Sequence, residues 1–140
     1  MSFITTESLA KVGINPDMIS DDLDAPETLQ GMIQLAVRRM RQWVGAAVYT
    51  DAESWPLDNP ERIHFVMAEL YLALCEVLPV IWMRQSFGAR SVTIEGFRVD
   101  MAVTDPVQQQ NVCSALLQKA EAALWDWIPV EGATAGVVLV

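Results

Sequence analysis

Histidine, cysteine and positive charge are all scarce in this chain, and each shortage removes a class of function. There is one histidine, His64, in 140 residues, and there are two cysteines, Cys75 and Cys113. The cysteines have no C-x-x-C spacing and no nearby ligand set. Each sits inside a helical pattern, so they read as reduced, buried thiols of a cytosolic product rather than as a disulfide or a zinc site. No H-E-x-x-H, G-x-S-x-G or glycine-rich phosphate loop occurs, so none of the strings with known catalytic mechanics is offered. His64 on its own reads as structural. Lysine and arginine number 9 against 18 aspartates and glutamates, a formal charge of −9. A chain of this sign does not wrap phosphate backbones by counterion release, which argues against sequence-specific duplex binding. It suits a wall that DNA slides past. The first twelve residues lack a basic start and a continuous apolar core, so no signal peptide is expected there.

Apolar residues are what the chain has in abundance. Hydrophobic content is 52% and charged content 19%, which implies one ordered domain with a substantial core and excludes disorder as the main state. The expected class is mainly α: a small helical bundle of three main helices plus a short N-terminal helix, with one β-hairpin and an extended C-terminal tail. The single domain spans residues 1–129 with the hairpin at about 91–101, and residues 130–140 form the arm.

The chain is organised around residues 59–85. Asn59 then Pro60 is a helix start: asparagine caps, and proline fits the first turn. The residues after Pro60 are apolar on nearly every face, with a narrow polar seam of His64, Glu69 and Glu76. A helix apolar all round must be enclosed by something, and at roughly 37 Å this one is too long for so small a chain to wrap completely. Residues 63–83 are long enough to span a bilayer. Glu69 and Glu76 near the middle, Pro79 within it and the lack of a basic cluster on one flank argue against a span. Another copy of the chain is the expected cover for the side left over. A kink is expected at Pro79, which removes a backbone donor and crowds the preceding turn.

The other elements flank this helix. Thr5 or Thr6 opens a short helix that Gly13 stops. Residues 14–23 read as a polar connection with room for one helical turn. Asp24, with Glu27 three residues on, forms the expected capping box of an amphipathic helix reaching about Val48. Its stripe is Leu29, Ile33, Ala36, Met40, Trp43 and Ala47. Gly45 in it is a mild weakness or a place of close helix approach. Arg38, Arg39 and Arg41 lie largely on its outward face and read as a solvated flank; an acidic neighbouring subunit is a better partner for them than DNA. Residues 49–58 are a loop in which Trp55 is either a core plug or an exposed anchor.

Residues 91–101 change to period two. A turn at Glu95-Gly96 pairs Ile94 with Phe97 and Val92 with Val99 on one face, and Thr93 with Arg98 and Ser91 with Asp100 on the other. Asp105-Pro106 opens the last helix, whose buried stripe is Val112, Cys113, Leu116, Leu117, Ala120, Leu124 and Trp127; Ile128-Pro129 ends it. The tail then runs apolar through Val137, Val138, Leu139 and Val140. It is either a disordered terminus or a strand-like arm that docks on a partner, and docking is favoured.

Glu69 and Glu76, seven apart, share a helical face. Two carboxylates can hold a metal or move protons, but the facing helices offer only Glu27, Glu121 and Asp126 near their ends. Both glutamates are expected to mark the polar seam, or to pair with arginines of a neighbouring copy. No catalytic, cofactor or metal residue is assigned.

The order of elements resembles that of the head–tail connector (adaptor, or head-completion) proteins of long-tailed bacteriophages and related gene-transfer particles. The residues that carry the resemblance are LQGMIQLAVRRMRQWVG (29–45), NPERIHFVMAELYLAL (59–74) and SVTIEGFRVD (91–100), before a closing helix. The resemblance covers roughly residues 24–127 and is one of architecture and size. It implies a virion structural protein without enzymatic activity or cofactors. Such proteins form a homo-oligomeric ring, usually of twelve copies, under the portal protein, and extend the DNA channel toward the next neck or tail-completion protein. Carried over to this chain, Ile128, Val130, Val137, Val138, Leu139 and Val140 would belong to a portal-facing arm. Arg38, Arg41, Trp55, Glu69, Glu76, Phe97 and Arg98 would make ring or subunit contacts. Two other classes compete: an all-α metal-dependent nucleotide hydrolase using Glu69 and Glu76, and a cytosolic helical adaptor that binds a partner helix in an apolar groove.

Overall fold

Two helices, those opening after Asn59 and Asp105, begin where the sequence supplies a cap, and Gly13 and Gly45 mark the ends of two others. The computed structural model describes residues 2–84, 91–94, 97–100 and 105–129; of residues 91–94 and 97–100 it describes the backbone alone. The described chain is mainly helical. In order come α1 (Thr6–Lys11), a 3₁₀ turn (Pro16–Met18), α2 (Ala25–Val44), α3 (Ala46–Glu53), α4 (Pro60–Arg84), β1 (Ser91–Ile94), β2 (Phe97–Asp100), α5 (Pro106–Ala123) and a second 3₁₀ turn (Trp125–Trp127). The strands are antiparallel, with Ser91 opposite Asp100 and Ile94 opposite Phe97.

Two caps form as their residue types dictate. Asn59 Oδ1 accepts from the Glu61 N–H at 2.8 Å, and Asp105 Oδ1 accepts from the Val107 N–H at 3.0 Å. Each satisfies a backbone donor that the first helical turn would otherwise leave open. Asp24 departs from expectation. Its backbone sits at φ −91°, ψ 11°, and its carboxylate makes no cap bond. The Thr28 hydroxyl instead donates to the Asp24 carbonyl at 3.2 Å. α1 ends in the manner expected, with Gly13 at φ 105°.

The largest departure is at Gly45. The amphipathic pattern runs through it to Ala47, but α2 stops at Val44 and a separate helix, α3, takes up residues assigned to the end of α2 and to a loop. Gly45 has φ 91° and ψ 146°, a region essentially closed to residues with a Cβ. Its N–H still closes α2 on the Arg41 carbonyl at 2.9 Å, and its own carbonyl accepts from Tyr49 N–H at 3.1 Å, opening α3. One glycine thus ends one helix and starts another, and the change of direction puts Tyr49 and Ala52 in the core at 0% exposure. A Cβ at Gly45 would meet nothing within 4 Å, so the penalty for filling it is backbone strain alone. Gly45→Ala is expected to cost about 1–3 kcal/mol, read as a lower urea midpoint with an unchanged slope.

α4 packs against α2 and α5, with α3 against it as well. α2 contributes Leu29, Ile33, Ala36, Val37, Met40 and Val44 to the core, and α5 contributes Leu116 and Ala120. The connection between α1 and α2, expected to be polar, supplies Ile14, Met18 and Ile19 to the same core. This extra cover encloses much of α4, while Val66, Met67, Cys75 and Val80 along it stay half-buried. Leu70, Tyr71, Leu72, Ala73 and Leu74 are all buried by the chain itself. Exposed apolar side chains on α4 sit at its ends, Ile63 at 56% and Met83 at 84%. α4 runs on through Pro79, which is exposed. The donor that proline lacks therefore falls on the exposed side of the helix. At the far end Arg84 bonds the Asp17 carbonyl and the Asp21 carboxylate, both at 2.9 Å, tying α4 to the α1–α2 connection.

Candidate functional site

Glu69 is the fully buried acidic side chain among the described residues, at 0% exposure. Three parts of the chain meet on it. α4 presents the carboxyl. α3, turned inward by Gly45, presents Tyr49, whose hydroxyl donates to Oε1 at 2.6 Å. The segment ahead of α1 crosses over both, and the Ile4 N–H donates to Oε2 at 2.8 Å. The Phe3 N–H adds a further favourable contact to the carboxylate.

Aromatic rings close the node. The Phe3 ring stands edge-on to Tyr49 at 5.1 Å and tilted against Phe65 at 5.5 Å. The Arg62 guanidinium lies 4.9 Å from the Phe3 ring centre. The same Arg62 Nη1 lies 3.3, 3.2 and 3.4 Å from the carbonyl oxygens of Ala52, Glu53 and Trp55. It adds a donor to carbonyls at and just beyond the end of α3, of which Ala52 also accepts from the Trp55 N–H at 3.1 Å. Phe65 then carries the packing outward, to Trp55 at 5.3 Å and to Trp127 at 5.0 Å. These centroid separations are those of favourable aromatic pairs.

The electrostatics follow from burial. Loss of water pushes the Glu69 carboxyl up to about 7, opposed by the bonds from Tyr49, Ile4 and Phe3; the charge of Glu53 adds a small upward push. The Tyr49 phenol is driven far above its ordinary value, by burial first and then by the Glu69 charge and hydrogen bond. Tyr49 therefore stays a donor at any working pH. A carboxyl sealed under three chain segments has no face for a substrate, and its geometry is that of a structural clamp.

This placement corrects the expectation for Glu69. A residue expected at a ring contact is enclosed within its own chain, because a carboxyl surrounded by apolar neighbours on its helix takes partners from within rather than from another copy. Trp55 resolves toward the plug: it is half-buried and packs on Phe65 and Trp127. Glu76 is half-exposed and lies 3.6 Å from Arg39 of the same chain, so its nearest arginine is internal. Arg38 and Arg41 are exposed and line an open cleft of about 430 Å³ with Gln34, Val37 and Gln42. The Arg41 guanidinium also lies 5.5 Å from the Tyr49 ring centre. Ile128 is half-buried and packs against the core. Val130, Val137, Val138, Leu139 and Val140 lie outside the described residues, as do the side chains of Phe97 and Arg98.

Cys75 Sγ lies 3.7 Å from the Cys113 carbonyl, and burial pushes the Cys75 thiol up to about 12. Burial also raises Cys113. Both thiols are therefore held protonated and weakly nucleophilic. Glu61 and His64 stand in an E-x-x-H spacing on the first turns of α4. The His64 ring packs against Trp127 at 5.8 Å. Among the described residues no three histidine, cysteine or acidic side chains gather at metal-binding range. α4 is long and apolar enough to cross a membrane by length and composition, and 67% of its most apolar window is buried inside the molecule, as a core helix would be.

Of the node, Glu69 alone carried a signal in the sequence: an acid with Phe65, Leu70, Leu72 and Ala73 around it on one helix. Tyr49, Ile4 and Arg62 carried none, since each meets Glu69 or its neighbours only through tertiary packing. Compared with known protein families, with characterised proteins and with solved structures, the chain matches none.

Proposed function

We propose that this chain is a structural protein of a phage-type head–tail connector. In that reading copies of it form a ring, about twelve in number, beneath a portal protein, and the ring meets the next neck or tail-completion protein below. DNA passes through it without sequence-specific binding, and its place is the virion neck.

The observation that carries the reading is the order of elements: a short helix, an amphipathic helix, the short α3, a long apolar helix, a strand pair and a closing helix. Apart from α3, that order is the one on which the resemblance to connector proteins rests. The formal charge of −9 supports it as well, since an acidic wall lets DNA slide rather than grip it. Subunit contacts are assigned to Arg38 and Arg41 at their cleft, to Glu76, and to Phe97 and Arg98 of the hairpin. Glu69 is withdrawn from that set, and Trp55 is given to the monomer core. Residues 130–140, with Val130, Val137, Val138, Leu139 and Val140, form the portal-facing arm, and Ile128 roots it on the core.

The arm supplies the test. Deleting residues 131–140 should leave the thermal midpoint within about 2 °C, because an arm that docks elsewhere contributes little to the monomer. The same deletion should abolish attachment to portal-bearing capsids in a co-sedimentation assay. Attachment at the wild-type level would defeat the assignment of the arm, and a large loss of thermal stability would make the tail part of the core.

A further inference from the structure

Residues 2–5 reach Glu69 as non-helical chain ahead of α1. The anchors of this strap are few and lie together: the Ile4 N–H on Oε2, the fully buried Ile4 side chain, and the Phe3 ring against Tyr49, Phe65 and Arg62. Beneath it, Tyr49, Phe65 and Glu69 belong to α3 and α4, which pack on each other and on α2. The strap is thus a cover on a seat that other elements build.

The seat contains a group whose charge depends on the cover. With the strap in place, water is excluded from Glu69 and the neutral acid is favoured. With the strap lifted, water reaches the carboxyl and the charged form is favoured. Each state of the strap therefore prefers a different protonation state, and by linkage each protonation state prefers a different position of the strap. We propose that Ser2–Ile4 is a latch that rests closed on the neutral Glu69 carboxyl and is released when that carboxyl is charged.

The charged and titratable neighbours of the node come from three helices. On α3 they are Tyr49, which stays protonated, and Glu53, which disfavours the Glu69 charge. On α2, Arg41 sits across the Tyr49 ring. On α4, Arg62 sits over Phe3, and His64 packs on Trp127, which meets the node through Phe65. The strap residues Ser2, Phe3 and Ile4 carry no charged side chain. Opening vacates the place of the Phe3 ring between Tyr49, Phe65 and Arg62, and so bares an aromatic socket with a guanidinium at its rim. The latch stands independently of the connector reading.

Sign and size follow from the closed-state value of about 7 against an ordinary 4.5. The open fraction should rise about tenfold per pH unit across that window and level off above it. Amide exchange at Ile4, corrected for its intrinsic rate, reads this directly. Its protection should fall about tenfold per unit between pH 5 and 7 and then flatten. It should depend little on denaturant, whereas the Leu72 amide in the middle of α4 should follow global unfolding. In Glu69→Gln, which keeps an acceptor for Ile4, protection at Ile4 should not change with pH. The proposal is overturned if Ile4 shares the protection and denaturant slope of Leu72, since the strap then opens only with the whole fold. It is equally overturned if wild-type protection is as flat as that of the glutamine variant. Should Glu69→Gln not fold, Tyr49→Phe gives the deciding measurement: removing one donor to the carboxylate must move the fall to higher pH, and an unmoved midpoint overturns the latch.

Discussion

Phe65→Ala is expected to lower the free energy of unfolding by about 3–5 kcal/mol. The side chain is at 0% exposure, and its ring is the common neighbour of Phe3, Trp55 and Trp127 at 5.5, 5.3 and 5.0 Å. Those three rings come from the strap ahead of α1, from the turn after α3 and from the turn after α5. Phe65 is therefore the point at which chain segments far apart in sequence are pinned to α4. Truncation removes the buried ring and leaves a cavity that these half-buried neighbours can only partly fill, so both the transfer and the cavity contributions apply. Ile63, two residues earlier and 56% exposed, is the internal control: Ile63→Ala should stay within about 0.5 kcal/mol. Urea unfolding of the two variants, followed by helical circular dichroism, makes the comparison. A loss below about 1 kcal/mol at Phe65 would mean that the aromatic cluster is decoration on a core that holds without it.

The second large effect is a pH dependence of stability that runs opposite to the usual acid denaturation. The Glu69 carboxyl is raised from 4.5 to about 7 in the folded chain. In the window between those values the folded state holds a proton that the unfolded state has released. Stability from this group is therefore fully present below the lower value and is lost as the pH climbs through the upper one. The loss amounts to roughly 3 kcal/mol across the window, at about 1.4 kcal/mol per pH unit. The chain's many other carboxylates also titrate toward the acid end, so the measurement is a difference. The free energy of Glu69→Gln minus that of the wild type should grow by most of this amount, about 2.4 kcal/mol, from pH 5 to pH 7.5. A constant difference would mean that Glu69 is charged in the folded state throughout, with its three donors offsetting the loss of water. The physical choice is between desolvation and hydrogen bonding at one carboxyl, and burial beneath Phe3 and Ile4 makes desolvation the larger.

These effects also separate what was legible in the residues from what was not. The starts of α4 and α5 were readable because Asn59-Pro60 and Asp105-Pro106 act locally: the cap bonds reach only two residues along the chain. The buried stripe of α2 was readable because period 3.6 marks one face whatever covers it. Asp24 was misjudged because a capping box is a preference among competing turns, and the chain before α2 chose another. Ile14, Met18 and Ile19 were hidden in a stretch whose aspartates and asparagine made it look like a solvent loop.

Sequence alone determined the mainly helical class, the caps of α4 and α5 and the central place of α4, because each depends on contacts made within a few residues. Tertiary structure alone decided how α4 is enclosed and what Glu69 does. The turn at Gly45 has no signature beyond a single glycine in a good helical pattern, yet it aims Tyr49 at a carboxyl twenty residues away. The bond from Ile4 spans sixty-five. Local rules marked Glu69 as an acid in an apolar helix, a place that needs water or another copy beside it. Packing met that requirement with a hydroxyl, a backbone N–H and an aromatic cover, because a buried charge is tolerated only when its donors and its protonation adjust together.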